Sequence, residues 1–218
     1  MPGAAGSHLY SRPVSVPIPL PDVLAARLAA ALDPEGKVGR ALDALSWPDG
    51  LGDRDVLVLD GIGSRVAADL ETFGARVAHA ASASAMADLP AESVDVVVGL
   101  WTSFRGVDAA ERAAAERLLR PGGRLLVVHH YGRDDVGRLL ADHAEFDAWS
   151  QKRGPFLAAG FRVRVIHCWW EFADLDAAGA FLADAFGPEG AAVAAGLTRP
   201  RVAWNVAIYH RDRRDTGA

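Results

Sequence analysis

Three clusters in this chain combine residue types and spacing that suit chemistry. Asp60-Gly61-Ile62-Gly63-Ser64 follows the apolar run Val56 to Leu59. Gly61 and Gly63 permit a tight turn and a close backbone approach to a ligand. Ser64 suits a helix N-cap, and a helix start presents free N–H groups and the positive end of its dipole. Together they suit a nucleotide-like ligand, although a close-packed turn without one would use the same glycines. His129-His130-Tyr131 ends a second apolar run. Imidazole titrates near working pH, so either histidine could take a proton from a hydroxyl; a structural hydrogen bond is the alternative for each. Gly99, Leu100, Trp101 and Arg105 follow a third run. There Trp101 and Arg105 would line a pocket mouth, or else enter the core and pair with Asp108. His79 closes a fourth run.

Other chemistries are not signalled. His129 and His130 are adjacent and point apart along a strand, and no Cys-x-x-Cys or His-Glu-x-x-His occurs, so no metal site is expected. No Gly-x-Ser-x-Gly elbow marks a hydrolase. The net charge of −5 and a pI near 5.8 argue against nucleic acid as a partner. Arg211, Arg213 and Arg214, interleaved with Asp212 and Asp215, read as a solvated tail. Cys168 is the single cysteine, which suits a reducing compartment. The first residues lack a charged leader pattern, and no apolar run is long enough to span a bilayer. A cytoplasmic protein without membrane contact is expected.

The elements that must hold these clusters alternate. Residues 1–50 read as an arm and two helices, 51–210 as one domain and 211–218 as a tail. Met1 to Pro21 carries Pro13, Pro17, Pro19 and Pro21 between apolar residues, an extended pattern laid partly on the domain surface. Helices are expected from Asp22 to Leu32 and from Val38 to Leu45. Strands follow at Val56 to Leu59, Ala75 to His79, Val94 to Leu100 and Arg124 to Val128. Helices are expected over Arg65 to Phe73, over Asp108 to Leu119, which Pro121-Gly122-Gly123 terminates, and over Asp134 to Trp149. Asp134 and Asp135 read as acids of a helix's first turn. Phe161 to Phe172 and Val202 to Tyr209 are longer, alternating strands, separated by helices over Asp174 to Phe186 and Pro188 to Leu197. The pattern implies an α/β fold, Rossmann-like, with a mostly parallel sheet of about six strands. The last strand is expected to be antiparallel, and at least one of the last two to run antiparallel at the sheet edge.

Leu57 to Gly63 (L-V-L-D-G-I-G), Asp88-Leu89-Pro90, Ser93 to Gly99 (S-V-D-V-V-V-G) and Leu118 to Val128 (L-L-R-P-G-G-R-L-L-V-V) resemble motifs of class I S-adenosylmethionine-dependent methyltransferases. The Pro-Gly-Gly turn is the most specific of them. The resemblance implies a seven-stranded sheet with its last strand antiparallel, and S-adenosylmethionine held by Asp60, Gly61, Gly63, Ser64, Leu100 and Trp101. It also implies methyl transfer to a small-molecule substrate, with His129 or His130 as the base. The similarity of Gly61 to Val77 to short-chain dehydrogenases is weaker, because no Tyr-x-x-x-Lys occurs.

The sequence departs from the family in three places. Leu59 stands where the first motif has its acid, and Arg65 where it has a third glycine. No acid lies within Ala78 to Ser84, where the family holds the ribose hydroxyls. Only 14 residues separate His79 from Val94, whereas two crossovers and a strand need about 29. One strand and one helix are therefore expected to be missing beside the second strand. A bare edge exposes unpaired backbone, so Ala80 to Leu89, or a second copy in a homodimer, is expected to cover it. The alternative function is a cofactor-free, methyltransferase-like domain that binds or dimerises.

Overall fold

The computed structural model describes residues 16–59, 65–80, 82–140 and 143–213. Six strands form one sheet: β1 (Asp55–Leu59), β2 (Arg76–Ala80), β3 (Val94–Leu100), β4 (Leu119–His130), β5 (Arg162–Glu171) and β6 (Arg201–Asp212). Their spatial order is β2-β1-β3-β4-β6-β5. β2, β1, β3 and β4 pair in parallel, and β6 pairs antiparallel with both β4 and β5. β6 is thus the antiparallel last strand, but it lies between two partners and β5 takes the edge. One of the two long alternating strands thus forms an antiparallel edge, as expected. Alternation of side chains reports which face of a strand is covered and does not say which of the two strands takes the edge.

Every second residue of each inner strand enters one of two cores. Val56, Val58, Val96, Val98, Leu126 and Val128 face one side. There they meet α1 (Asp22–Ala31), α2 (Lys37–Ser46), α3 (Arg65–Thr72), and α8 (Leu175–Ala195). Leu57, Leu59, Val97, Leu125, Val127 and Tyr209 face the other side. They meet α4 (Ala109–Leu118), α6 (His143–Trp149), α7 (Pro155–Ala158) and a 3₁₀ turn, Ala83–Asp88. All seven residues of β3 are buried, as expected of a strand covered on both faces.

Several local expectations change. Asp134 to Trp149 is not one helix: α5 (Asp135–Leu139) ends at extended Leu140, and α6 starts at His143. Pro121-Gly122-Gly123 does not end a helix ahead of the strand but continues it, since β4 starts at Leu119. Gly122 takes φ +76, and a Cβ on Gly123 would lie 2.8 Å from the Asp95 carbonyl oxygen. Both positions therefore need glycine. Gly187 (φ 58, ψ −132) breaks α8 ahead of Pro188, separating the two expected helical segments. Arg211 and Asp212 belong to β6, and Arg211 is buried and pairs with Glu116 at 3.0 Å. Arg213 is half-buried and pairs with Glu92 at 2.7 Å. The solvated-tail reading fails for these three residues.

The sheet ends at β2, with no strand beyond it among the described residues. Arg76, Ala78 and His79 are exposed. The 3₁₀ turn packs Met86 into the core beside Ala80. The expected cover from Ala80 to Leu89 is therefore found only at the carboxyl end of β2.

Candidate functional site

In an open α/β sheet, ligands bind beyond the carboxyl ends of the strands, where consecutive connections leave in opposite directions. Here the chain passes from β1 outward to β2, then returns across β1 to β3 and continues to β4. The switch point therefore lies between β1 and β3. Asp60, Gly61, Gly63 and Ser64 would border it from β1, but they lie outside the described residues. From β3 the border is Leu100, which is buried, and Trp101.

Trp101 has φ +47. A bulky residue in the left-handed region costs on the order of 1–3 kcal/mol and persists only where the surroundings impose it. Its N–H donates to the Val128 carbonyl at 3.0 Å, and its ring stacks on Trp204 at 5.7 Å. These two contacts hold the conformation. The indole Nε1 is buried with no hydrogen-bond partner among the described residues. Such an orphan donor costs roughly 1–3 kcal/mol, which an acceptor on a ligand would recover.

The two histidines at the end of β4 part to opposite faces. His130 joins the Trp101 side. Trp204 Nε1 donates to its Nδ1 at 3.1 Å, and indole nitrogen can only donate. The ring proton therefore sits on Nε2, which donates to the Pro17 carbonyl at 3.2 Å. Burial lowers the pKa of His130 to about 4. With both nitrogens engaged, His130 has no lone pair to offer a substrate.

His129 faces the other core. Its ring meets the edge of Trp149 at 5.0 Å and lies 6.4 Å from Phe156. It bonds the Phe104 backbone, a contact that favours the protonated ring and so has the ring as donor. Nε2 is the buried atom without a partner among the described residues, which assigns the donated proton to Nδ1 and leaves a lone pair on Nε2. Burial first, then the Arg105 charge, holds His129 well below the ordinary histidine pKa. The imidazole is neutral at working pH.

Arg105 does not pair with Asp108, whose carboxylate caps α4 through Ala110 and Glu111. Its guanidinium donates to the Thr102 carbonyl and lies 4.7 Å over Trp149. Its own backbone N–H donates to Glu111 at 3.1 Å. Desolvation lowers its pKa. Tyr131 is half-buried, with the Arg133 guanidinium 5.6 Å from its ring. Cys168 is buried and its thiol is pushed up to about 12 by burial, so it is no nucleophile. Asp134 and Asp135 do more than open a helix. Asp134 accepts from Gly137 at 2.6 Å and Asn205 at 2.5 Å, and Asp135 accepts from Ala203 at 3.0 Å. They satisfy β6 where β4 no longer reaches it.

Sequence reasoning missed Trp204, Trp149 and Pro17. Trp204 could have been found from alternation with Val202 and Val206 on the inner face of β6. Nothing local points to Trp149 or Pro17.

No protein-family model matches the chain, and no curated protein matches it in sequence. Among solved structures, it is similar to a protein of Anaeromyxobacter dehalogenans provisionally described as a type II methyltransferase. Their identity is 18% and the TM-score 0.49, over 82% of this chain and 96% of that one. A Bacillus halodurans protein provisionally described as a methyltransferase gives 16% and 0.45, over 82% and 98%. The precorrin-6y C5,15-methyltransferase of Geobacter metallireducens gives 10% and 0.45, over 81% and 87%. The class is defined by the strand order instead: this is a Rossmann-like α/β domain with six strands among the described residues.

Proposed function

We propose that the chain transfers a methyl group from S-adenosylmethionine to a small-molecule acceptor. The observation that carries this is Trp101, strained at the β1–β3 switch point with a buried and unpartnered indole N–H among the described residues. An acceptor atom of the cofactor would satisfy that donor. Gly61, Gly63 and Ser64, with Asp60 and Leu100, would form the rest of the cradle through backbone N–H groups and a helix start. The bound cofactor would supply an electrophilic methyl group. Trp204 holds Trp101 in place by stacking. His129 Nε2 can accept a hydrogen bond from the acceptor's O–H or N–H, because its Nδ1 proton is committed to Phe104 and the ring is neutral. It serves as the base once a bound anion offsets the Arg105 charge that lowers its pKa. The contribution of the protein is mainly positioning.

Calorimetry with S-adenosylmethionine and S-adenosylhomocysteine tests this. Saturable heat that vanishes in Gly63→Arg supports it. Silence at millimolar cofactor from folded protein removes the transfer reaction and leaves a cofactor-free domain.

A further inference from the structure

Arg105 and His129 meet at Trp149, on the face opposite Trp101's stacking partner. Arg105 lies 4.7 Å over the Trp149 ring, and the His129 ring lies 5.0 Å from the same ring. Two features of this cluster are unresolved by the protein's own groups. The guanidinium is half-buried, its hydrogen bond goes to the Thr102 carbonyl, and no carboxylate among the described residues lies within ion-pair distance of it. A desolvated cation is costly unless paired. Glu111 is near, but its Oε2 accepts from the backbone N–H groups of Arg105 and Gly106, at 3.1 and 2.9 Å, and no ion pair joins its carboxylate to the Arg105 guanidinium. Glu145 acts on Arg105 only at a distance and is itself exposed. The second feature is His129, only 4% exposed, whose Nε2 has a lone pair and no donor among the described residues.

We propose that Arg105 and His129 form the acceptor subsite, and that the acceptor is a small carboxylic acid bearing an O–H or N–H group. This rests on the transfer reading for its chemistry, but not for binding. A carboxylate matches the planar guanidinium fork, which presents parallel N–H donors. Arg105 is the solvent-facing member, so the carboxylate enters against it. The acid's O–H or N–H then donates to His129 Nε2, a buried acceptor that no protein group satisfies among the described residues. Trp149 forms the wall between them, and Phe146 and Phe156 pack edge-on against it at 5.2 and 5.7 Å. The apolar enclosure strengthens both polar contacts.

The test uses the full chain and four probes: benzoate, 2-hydroxybenzoate, the neutral isostere benzamide, and inorganic phosphate, each followed by tryptophan fluorescence and by the imidazole nitrogen signals of His129. Benzoate is expected to saturate the protein and to bind about tenfold or more weakly in Arg105→Met, and 2-hydroxybenzoate to shift the His129 signals more than benzoate does. Benzamide and phosphate are expected to bind far more weakly than benzoate. Arg105→Lys, which keeps the charge but loses the fork, is expected to fall between. Equal benzoate affinity in the wild type and both variants, equal binding of benzamide, preference for phosphate, or no binding to folded wild-type protein would each overturn the proposal. Cofactor calorimetry on the wild type separates the two readings. Silence there with benzoate bound removes methyl transfer and keeps this site; heat there with benzoate unbound does the reverse.

Discussion

His130 makes the stability of this fold depend on acid in a way that can be measured. The ring is neutral in the folded protein, because Nδ1 accepts from Trp204 and burial lowers its pKa to about 4. In the unfolded chain it returns to its ordinary 6.5. Below that value the unfolded state binds a proton that the folded state refuses, so stability falls as pH falls through the window from 6.5 to about 4. Working the two titrations between pH 7 and pH 5 gives a loss of about 2 kcal/mol from this one residue. Other groups also titrate there. His129 and His210 are lowered and act in the same direction. Asp134 is pushed up to about 6 by burial and acts in the opposite one. The comparison that isolates His130 is therefore with His130→Gln, whose amide can still donate to Pro17 and accept from Trp204. Urea unfolding of both proteins at pH 7 and pH 5, followed by tryptophan fluorescence, measures the difference. The wild type is expected to lose about 2 kcal/mol more than the variant. Equal losses in the two proteins would show that His130 is protonated when folded, and would refute the tautomer argument.

Two further outcomes follow from particular atoms. Gly123→Ala would drive a Cβ to 2.8 Å from the Asp95 carbonyl oxygen, and is expected to cost about 1–3 kcal/mol in chemical denaturation. Trp204→Phe keeps an aromatic ring beside Trp101 but leaves His130 Nδ1 without its donor; it is expected to cost about 1–3 kcal/mol by the same measurement.

The layered α/β order was legible because buried strands read as apolar runs bounded by glycines. The shortened edge was legible because too few residues separate β2 from β3 to fit another strand. Three things were not. The place of β6 inside the sheet depends on pairing with β4, and alternation carries no such information. The split between α5 and α6 has no proline or glycine to mark it. The contact of Pro17 with His130 spans 113 residues, and no local pattern encodes it. Within the site, the parting of His129 and His130 followed from strand geometry alone. The meeting of Arg105 with Trp149 did not, since it needs the path of a later helix.

The short sheet edge changes what the remaining residues must do. No strand among the described residues lies beyond β2 to wall that side of the switch point. The chain places its aromatic mass on the opposite flank. Pro17 accepts from His130, which fixes the tautomer. That tautomer accepts from Trp204 and fixes its indole. Trp204 in turn stacks on Trp101 and holds it at φ +47. Each link joins buried or half-buried groups, so strain at Trp101 is supported by packing that starts in the N-terminal arm. A strained tryptophan with an orphan donor is costly to keep. Its support by three successive contacts is what a preorganised ligand contact requires, because a binding group fixed beforehand loses less entropy on association.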